Sequence, residues 1–279
     1  MAEPSPTVRQ RRLVAELRRL RDGSGRTIDE VAANIGLSRS TLSRIENGLV
    51  PIKLPVLRAL IAEYGVTPSV AAHLEQLRGE AAQRGWWQRA GVSDPIRTTV
   101  GLEAEAAWIQ YWSGTVIIGL LQTRAYARAL LRAIRFTWPD EDVDQAVELR
   151  MRRQERLPDL RLSVILGEEV FARMIGGQGV MFEQVQHLIQ AAGTSAVDLQ
   201  IVATGQGEHV GLGGGFEIVG LDEERPEAVY LEGARFEALV DDPAELSLHT
   251  LTFDRLRAVA LSPSDSLARL EQIAEALAP

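Results

Sequence analysis

Apolar residues return every three or four positions through the first third of the chain. Leu13, Leu17 and Leu20 stand at i, i+4 and i+7, and Ile28, Val31, Ala32 and Ile35 keep a similar helical spacing. Two further stripes follow, Leu57, Leu60, Ile61 and Tyr64, then Val70, Leu74 and Leu77. A period near 3.6 gathers such residues on one side of a helix. The helix ends carry their own signals. Thr27 and Glu30 have capping-box spacing, Gly36 permits a tight turn, and Ser38 can cap the segment that follows. Pro55 and Gly65 bracket the next helix, and Thr67 with Pro68 opens another. The pattern predicts five short helices within residues 1 to 78, the second and third joined by a three-residue turn.

Beyond a stretch broken by Gly85, Gly91 and Pro95, helical spacing resumes in "LEAEAAWIQYW", "TRAYARALLRAI" and "DEDVDQAVELRMRRQERL". The period then falls from 3.6 to 2. Leu160, Leu162, Val164 and Leu166 alternate, as do Val197, Leu199 and Ile201, then Phe216 and Ile218, and "AVYLEG" adds a fourth candidate strand. A helix is expected near Phe182 to Ala192, and Leu267, Leu270, Ala274 and Leu277 mark a last one. The expected fold is multidomain: an all-α helix-turn-helix domain over 1–80, a linker over 81–99 stiffened by Trp86 and Trp87, and a mixed α+β domain over 100–279.

The third helix, within "GLSRSTLSRIENG", has only Leu42 and Ile45 as large apolar residues after its opening turn. With Ser38 as cap and about 100° per residue, Arg39, Ser40, Ser43, Arg44 and Asn47 share one side, with Leu42 and Ile45 on the other. A polar helix face is often no more than solvated. Arg beside Ser also suits phosphate oxygens and the O6/N7 edge of guanine, because the guanidinium fork offers paired donors and a hydroxyl donates or accepts.

The context decides between them. "LRRLRDGSGRTIDEVAANIGLSRSTLSRIENG" resembles the XRE family of helix-turn-helix regulators, of lambda repressor-like fold, from Val8 to about Leu77. The resemblance implies double-stranded DNA as ligand and base contacts by Arg39, Ser40 and Arg44, with Thr41 and Ser43 flanking them. It also implies a scaffold ion pair between Arg21 and Glu46. Family members often have Gln after the Thr of the second helix where this chain has Ile28. Thr27, Arg26 or backbone amides at the helix start then remain to hold a phosphate. The DNA-binding set is therefore Thr27, Ser38, Arg39, Ser40, Thr41, Ser43 and Arg44. One short reading helix covers a half-site, so a homodimer is expected.

The chain has 279 residues and a formal net charge of −8. The charge is unevenly placed: residues 1 to 78 hold 12 Arg and Lys against 8 Asp and Glu, whereas the rest is strongly acidic. Polyanion binding is thereby confined to the amino-terminal part. Of the 30 basic residues only Lys53 is lysine, which reads as genome composition of an actinobacterial kind. With no cysteine, disulfides and thiolate chemistry are excluded, and His73, His187, His209 and His249 lack metal-ligand spacing. No metal or cofactor is expected. The longest apolar run, "TVIIGLL", is far short of a membrane span, and a cytoplasmic protein is expected.

"GLLQTRAYARALL", "RMRRQERL", "VILGEEVF" and "IVATGQGEHVGLGGGFEIVGL" resemble, in this order, the uncharacterised carboxyl-terminal domain of many actinobacterial XRE regulators. Ile118 stands where that family commonly has Pro. Members are often encoded beside a small acidic protein, which implies a protein partner. Arg150, Arg152, Arg153 and Arg156 form a basic cluster on one helix, read either as a solvated face or as the docking site for that partner. The loop "GQGEHVGLGGG" lacks the phosphate-loop pattern and is expected to close a hairpin, with Glu208 and His209 exposed on it. Trp108, Tyr111 and Trp112 are expected at neighbouring helical positions in a core or interface. Two functions follow. The first is a sequence-specific DNA-binding regulator whose second domain dimerises or binds a partner or effector. The second is an enzyme, for example a hydrolase, localised by its amino-terminal domain; no nucleophile, metal cluster or cofactor loop supports it.

Overall fold

The computed structural model describes residues 8–81, 94–221, 225–232 and 237–279. The chain divides into two compact units, Met1–Gly101 and Leu102–Pro279. Trp86, Trp87 and most of the expected linker lie outside the described residues.

In the first unit, α1 (Val8–Gly23), α2 (Ile28–Asn34), α3 (Arg39–Glu46), α4 (Leu54–Tyr64) and α5 (Pro68–Ala81) enclose one core. Leu13, Leu17, Val31, Leu42, Ile45, Leu57, Leu60, Leu74 and Leu77 are buried together, so each apolar stripe is used. The capping box forms: Thr27 Oγ1 accepts from the Glu30 amide at 3.3 Å while Glu30 Oε2 accepts from the Thr27 amide at 2.8 Å. The same C-terminal motif ends α2 and α3. Gly36 takes φ 72° with the Leu37 amide donating to the Ala32 carbonyl, and Gly48 takes φ 69° with the Leu49 amide donating to the Arg44 carbonyl. Glycine adopts this left-handed conformation without the clash a Cβ would bring, and the turn satisfies carbonyls the helix leaves open.

The division falls within α6 (Asp94–Glu105), and the second unit is built on a six-stranded mixed sheet. Its strands are β1 (Trp108–Ser113), β2 (Arg161–Gly167), β3 (Val197–Val202), β4 (Phe216–Gly220), β5 (Ala228–Glu232) and β6 (Glu237–Val240). Their order is β3-β2-β1-β4-β5-β6, with β1, β2 and β3 parallel and the rest antiparallel. Between β1 and β2 run α7 (Arg124–Ile134) and α8 (Asp140–Gln154), which pack through Ala127, Leu131, Val143 and Val147. The short α9 (Glu169–Ala172) and then α10 (Gln178–Ala192) link β2 to β3, and α11 (Pro243–Val259) and α12 (Pro263–Leu277) close the chain.

Two expectations are corrected. The helical reading of "LEAEAAWIQYW" holds only to Glu105; Trp108 begins a strand that pairs with β2 on one side and β4 on the other. A strand at the centre of a sheet, covered on both faces, loses the polar/apolar alternation that advertises a strand. The glycine-rich loop is not a hairpin. It leaves β3 at one edge and reaches β4 across β2 and β1. On the way Gly211 lies against Trp112, whose Nε1 donates to the Gly211 carbonyl at 3.0 Å. Trp112, fully buried, forms one core with Ile165, Phe216, Ile218, Val229 and with Phe253 and Leu256 of α11.

A Cβ on Gly211 would meet the Trp112 indole well inside contact distance, with Nε1 only 2.7 Å away. Trp112 is 1% exposed, and close-packed interiors leave a large ring little room to shift. Gly211→Ala should therefore destabilise the second unit by about 1–3 kcal/mol, measured as a lower urea midpoint of the full chain, whereas Gly213→Ala, in open space, should leave the midpoint nearly unchanged.

Candidate nucleic-acid interface

The orientation of α3 follows from what it buries. Leu42 and Ile45 enter the core, and Glu46, one residue on, is drawn in by Arg21 of α1. Arg21 Nε donates to Glu46 Oε1 at 2.9 Å, with the two side chains 18% and 6% exposed. The Glu46 hydrogen bond raises the Arg21 pKa above its ordinary value against the pull of burial. This is the scaffold pair the resemblance implied. With Leu42, Ile45 and Glu46 fixed on its inner side, α3 has one rotation about its axis, and the rest of its residues face outward.

Arg39, Ser40 and Arg44 are exposed, and Thr41 and Ser43 half-exposed. Ser38 caps the helix, its Oγ accepting from the Thr41 amide at 3.2 Å and lying 3.0 Å from Ser40 Oγ and 2.8 Å from Thr41 Oγ1. The Ser38 hydroxyl is thus committed to the helix start. Arg39 pairs with Asp29 of α2 at 3.2 Å, both side chains mostly in solvent. Such a pair contributes little and its arginine is readily taken over by a stronger anion. Thr27 is exposed at the start of α2, and its hydroxyl lies 2.9 Å from Glu30 Oε2. Those Thr27 bonds hold the Glu30 carboxyl below its ordinary pKa, so a phosphate at this helix start meets an ionised neighbour. Arg26 is engaged by Glu63. Three residues absent from the expected set also border this face: Asp29, and Asn47 with Arg18, whose Nη2 donates to Asn47 Oδ1 at 2.5 Å. Helical projection could find Asn47; its partner from α1 required the fold.

The arginines of α8 are divided by the structure. Arg153 forks onto Glu103 of α6, its Nε 2.6 Å from Oε2. Arg156, just after α8, binds the carbonyls of Ala104 and Ala106, the latter at 3.1 Å. Arg150 donates to Gln122 Oε1 at 2.6 Å; burial, then Arg153, pulls its pKa down to about 10. Arg152 alone of the four is exposed. The stretch is chiefly an internal clamp between α8, the end of α6 and the segment before α7, and not a wholly solvated face. Beside it, Glu217 of β4 is 5% exposed with Oε1 unbonded, opposite Tyr111 and Tyr230 in the sheet register. Burial, with Glu103 beside it, lifts its carboxyl well above the ordinary 4.5 and Arg153 only partly opposes this. His209 lies edge-on against Trp112 at 5.4 Å, its Nδ1 accepting from the Gly211 amide at 3.2 Å, which fixes the loop and leaves Glu208 exposed. Among the described residues no group of His, Asp and Glu is placed to hold a metal, and no helix is long and apolar enough to cross a membrane.

A helix-turn-helix with an outward basic and hydroxyl-bearing second helix defines the first unit as a DNA-binding domain of that class. Residues 12–74 match the family described as helix-turn-helix domain, consistent with the XRE resemblance. Residues 96–272 match the family described as domain of unknown function (DUF5753), and the chain belongs to that family. No curated protein and no solved structure matches the chain.

Because the folded state keeps the Glu217 proton that the unfolded chain releases near pH 4.5, the folded state binds more protons above that pH and stability falls as pH rises toward the folded pKa. Glu217→Gln removes this loss. In urea denaturation of the full chain between pH 5 and 9, the variant should gain on the wild type by up to about 1.4 kcal/mol per pH unit; parallel curves would mean that Glu217 stays ionised.

Proposed function

We propose that the chain is a sequence-specific transcription regulator that binds double-stranded DNA as a homodimer, inserting α3 of each copy into the major groove. The carrying observation is the orientation of α3: Leu42, Ile45 and Glu46 are locked inward, and Arg39, Ser40, Ser43 and Arg44 stand together outside. Arg39 and Arg44 read base edges. Ser40 and Thr41 contact base or sugar-phosphate beside them, while Ser38 and Thr27, whose hydroxyls cap their helices, act through the helix N-termini on phosphate. The second unit serves recognition in the cytoplasm, pairing two copies or capturing an effector or a small acidic protein, and it is not an enzyme. The inward engagement of Arg150, Arg153 and Arg156 supports placing that partner surface outside the α8 stretch.

Selection from random duplexes by the full-length chain should enrich an inverted repeat with half-site centres about one helical turn apart. Arg44→Ala should weaken binding to that sequence by about 1–3 kcal/mol and relax one position in each half-site. Equal weakening on every duplex would assign Arg44 to phosphate.

A further inference from the structure

Asn47 is the C-cap of α3, one turn beyond Ser43 and on the same outward side. Its amide is held at both ends. Arg18 Nη2 lies 2.5 Å from Oδ1, and Nδ2 lies 3.3 Å from Ser43 Oγ. A guanidinium has donors only, so the amide atom facing Arg18 must be the oxygen, and the atom facing Ser43 must be the NH₂. The Ser43 oxygen therefore accepts at this contact. Among the described residues no acceptor takes the Ser43 hydroxyl hydrogen. The side chain is half-exposed on the reading side of the helix, between Arg39 and Arg44 in projection.

We infer that Arg18 and Asn47 form a relay that sets the polarity of Ser43, making its hydroxyl a donor toward DNA, so that Ser43 selects a base presenting an acceptor in the major groove. This rests on the DNA-reading assignment of α3. Guanine offers O6 and N7 there, thymine O4 and adenine N7, whereas cytosine presents only an amino donor. Arg18 and Asn47 are positioning residues; Ser43 is the one that touches the base. The relay also gives the "ENG" ending three separate tasks: Glu46 faces inward to Arg21, Asn47 faces outward to Ser43, and Gly48 makes the left-handed turn.

Asn47→Asp reverses the logic while keeping the Arg18 contact. A carboxylate accepts from Arg18 and also from the Ser43 hydroxyl, leaving only lone pairs of Ser43 toward the base. Full-length wild type, Asn47→Asp, Arg18→Ala and Ser43→Ala would each select from the same random duplex pool, with helicity and melting checked first. One half-site position should disfavour C in the wild type by about 3- to 10-fold relative to the bases that present an acceptor. Ser43→Ala should flatten that position, Arg18→Ala should partly flatten it, and Asn47→Asp should shift it toward C. The added charge of Asn47→Asp weakens binding to all duplexes alike, so the base preference is the readout it cannot mimic. Flattening by Ser43→Ala with a wild-type preference in both Asn47→Asp and Arg18→Ala would overturn the relay. Uniform weakening by Ser43→Ala would put the hydroxyl on phosphate and overturn it as well. A wild type that selects the expected inverted repeat while Ser43→Ala changes nothing sinks this inference alone; a wild type that enriches no sequence sinks the proposed function and the relay with it.

Discussion

The burial of Glu46 against Arg21 is the constraint on which the first unit turns. Leu42 and Ile45 alone would tolerate some rolling of α3, because apolar contact is not directional. An ion pair with one partner 6% exposed is different. Removing either side strands a buried charge, at a cost of about 3 kcal/mol or more, so α3 is held at the rotation that keeps the pair closed. That single orientation places Arg39, Ser43, Arg44 and Asn47 outward and lets an eight-residue helix with little apolar surface of its own present a fixed chemical edge.

A second buried ionic layer does comparable work in the other unit, by different means. Arg153 and Arg156 tie α8 and the turn after it to Glu103 and to the last carbonyls around α6, just before β1 enters the sheet. β1 is the hub, parallel to β2 and antiparallel to β4, with Trp112 central to one face of the core. The helix-to-strand change between Glu105 and Trp108 is thus clamped by charges about fifty residues further along the chain.

Much of the first unit was legible because its helices carry local signals: the Thr27/Glu30 box, the Ser38 cap, the glycine turns and a 3.6 period each act within a few residues. The family resemblance added the Arg21–Glu46 pair. The failures all involve distant partners. Trp108 to Ser113 is covered on both sides, so it shows no alternation, and β6, four residues with Glu237 at its start, is too short to show any. The glycine-rich loop looked like a hairpin because the sequence holds no mark of a strand order in which β2 and β1 lie between its two ends. The arginines of α8 read as a solvated face or a docking site because Glu103 and Gln122 lie outside their helix. Asn47 projected onto the reading side, yet only the fold brought Arg18 to it.

The central claim is that α3 meets base edges in the major groove, and methylation interference tests it most directly. Duplexes selected by the full-length chain would be sparsely methylated with dimethyl sulfate, which modifies guanine N7 in the major groove and adenine N3 in the minor groove, then divided into bound and free. The account predicts that N7 methylation of guanines within each half-site excludes a duplex from the bound fraction, with two such clusters about one helical turn apart. Interference confined to adenine N3, or none at any guanine, would contradict it.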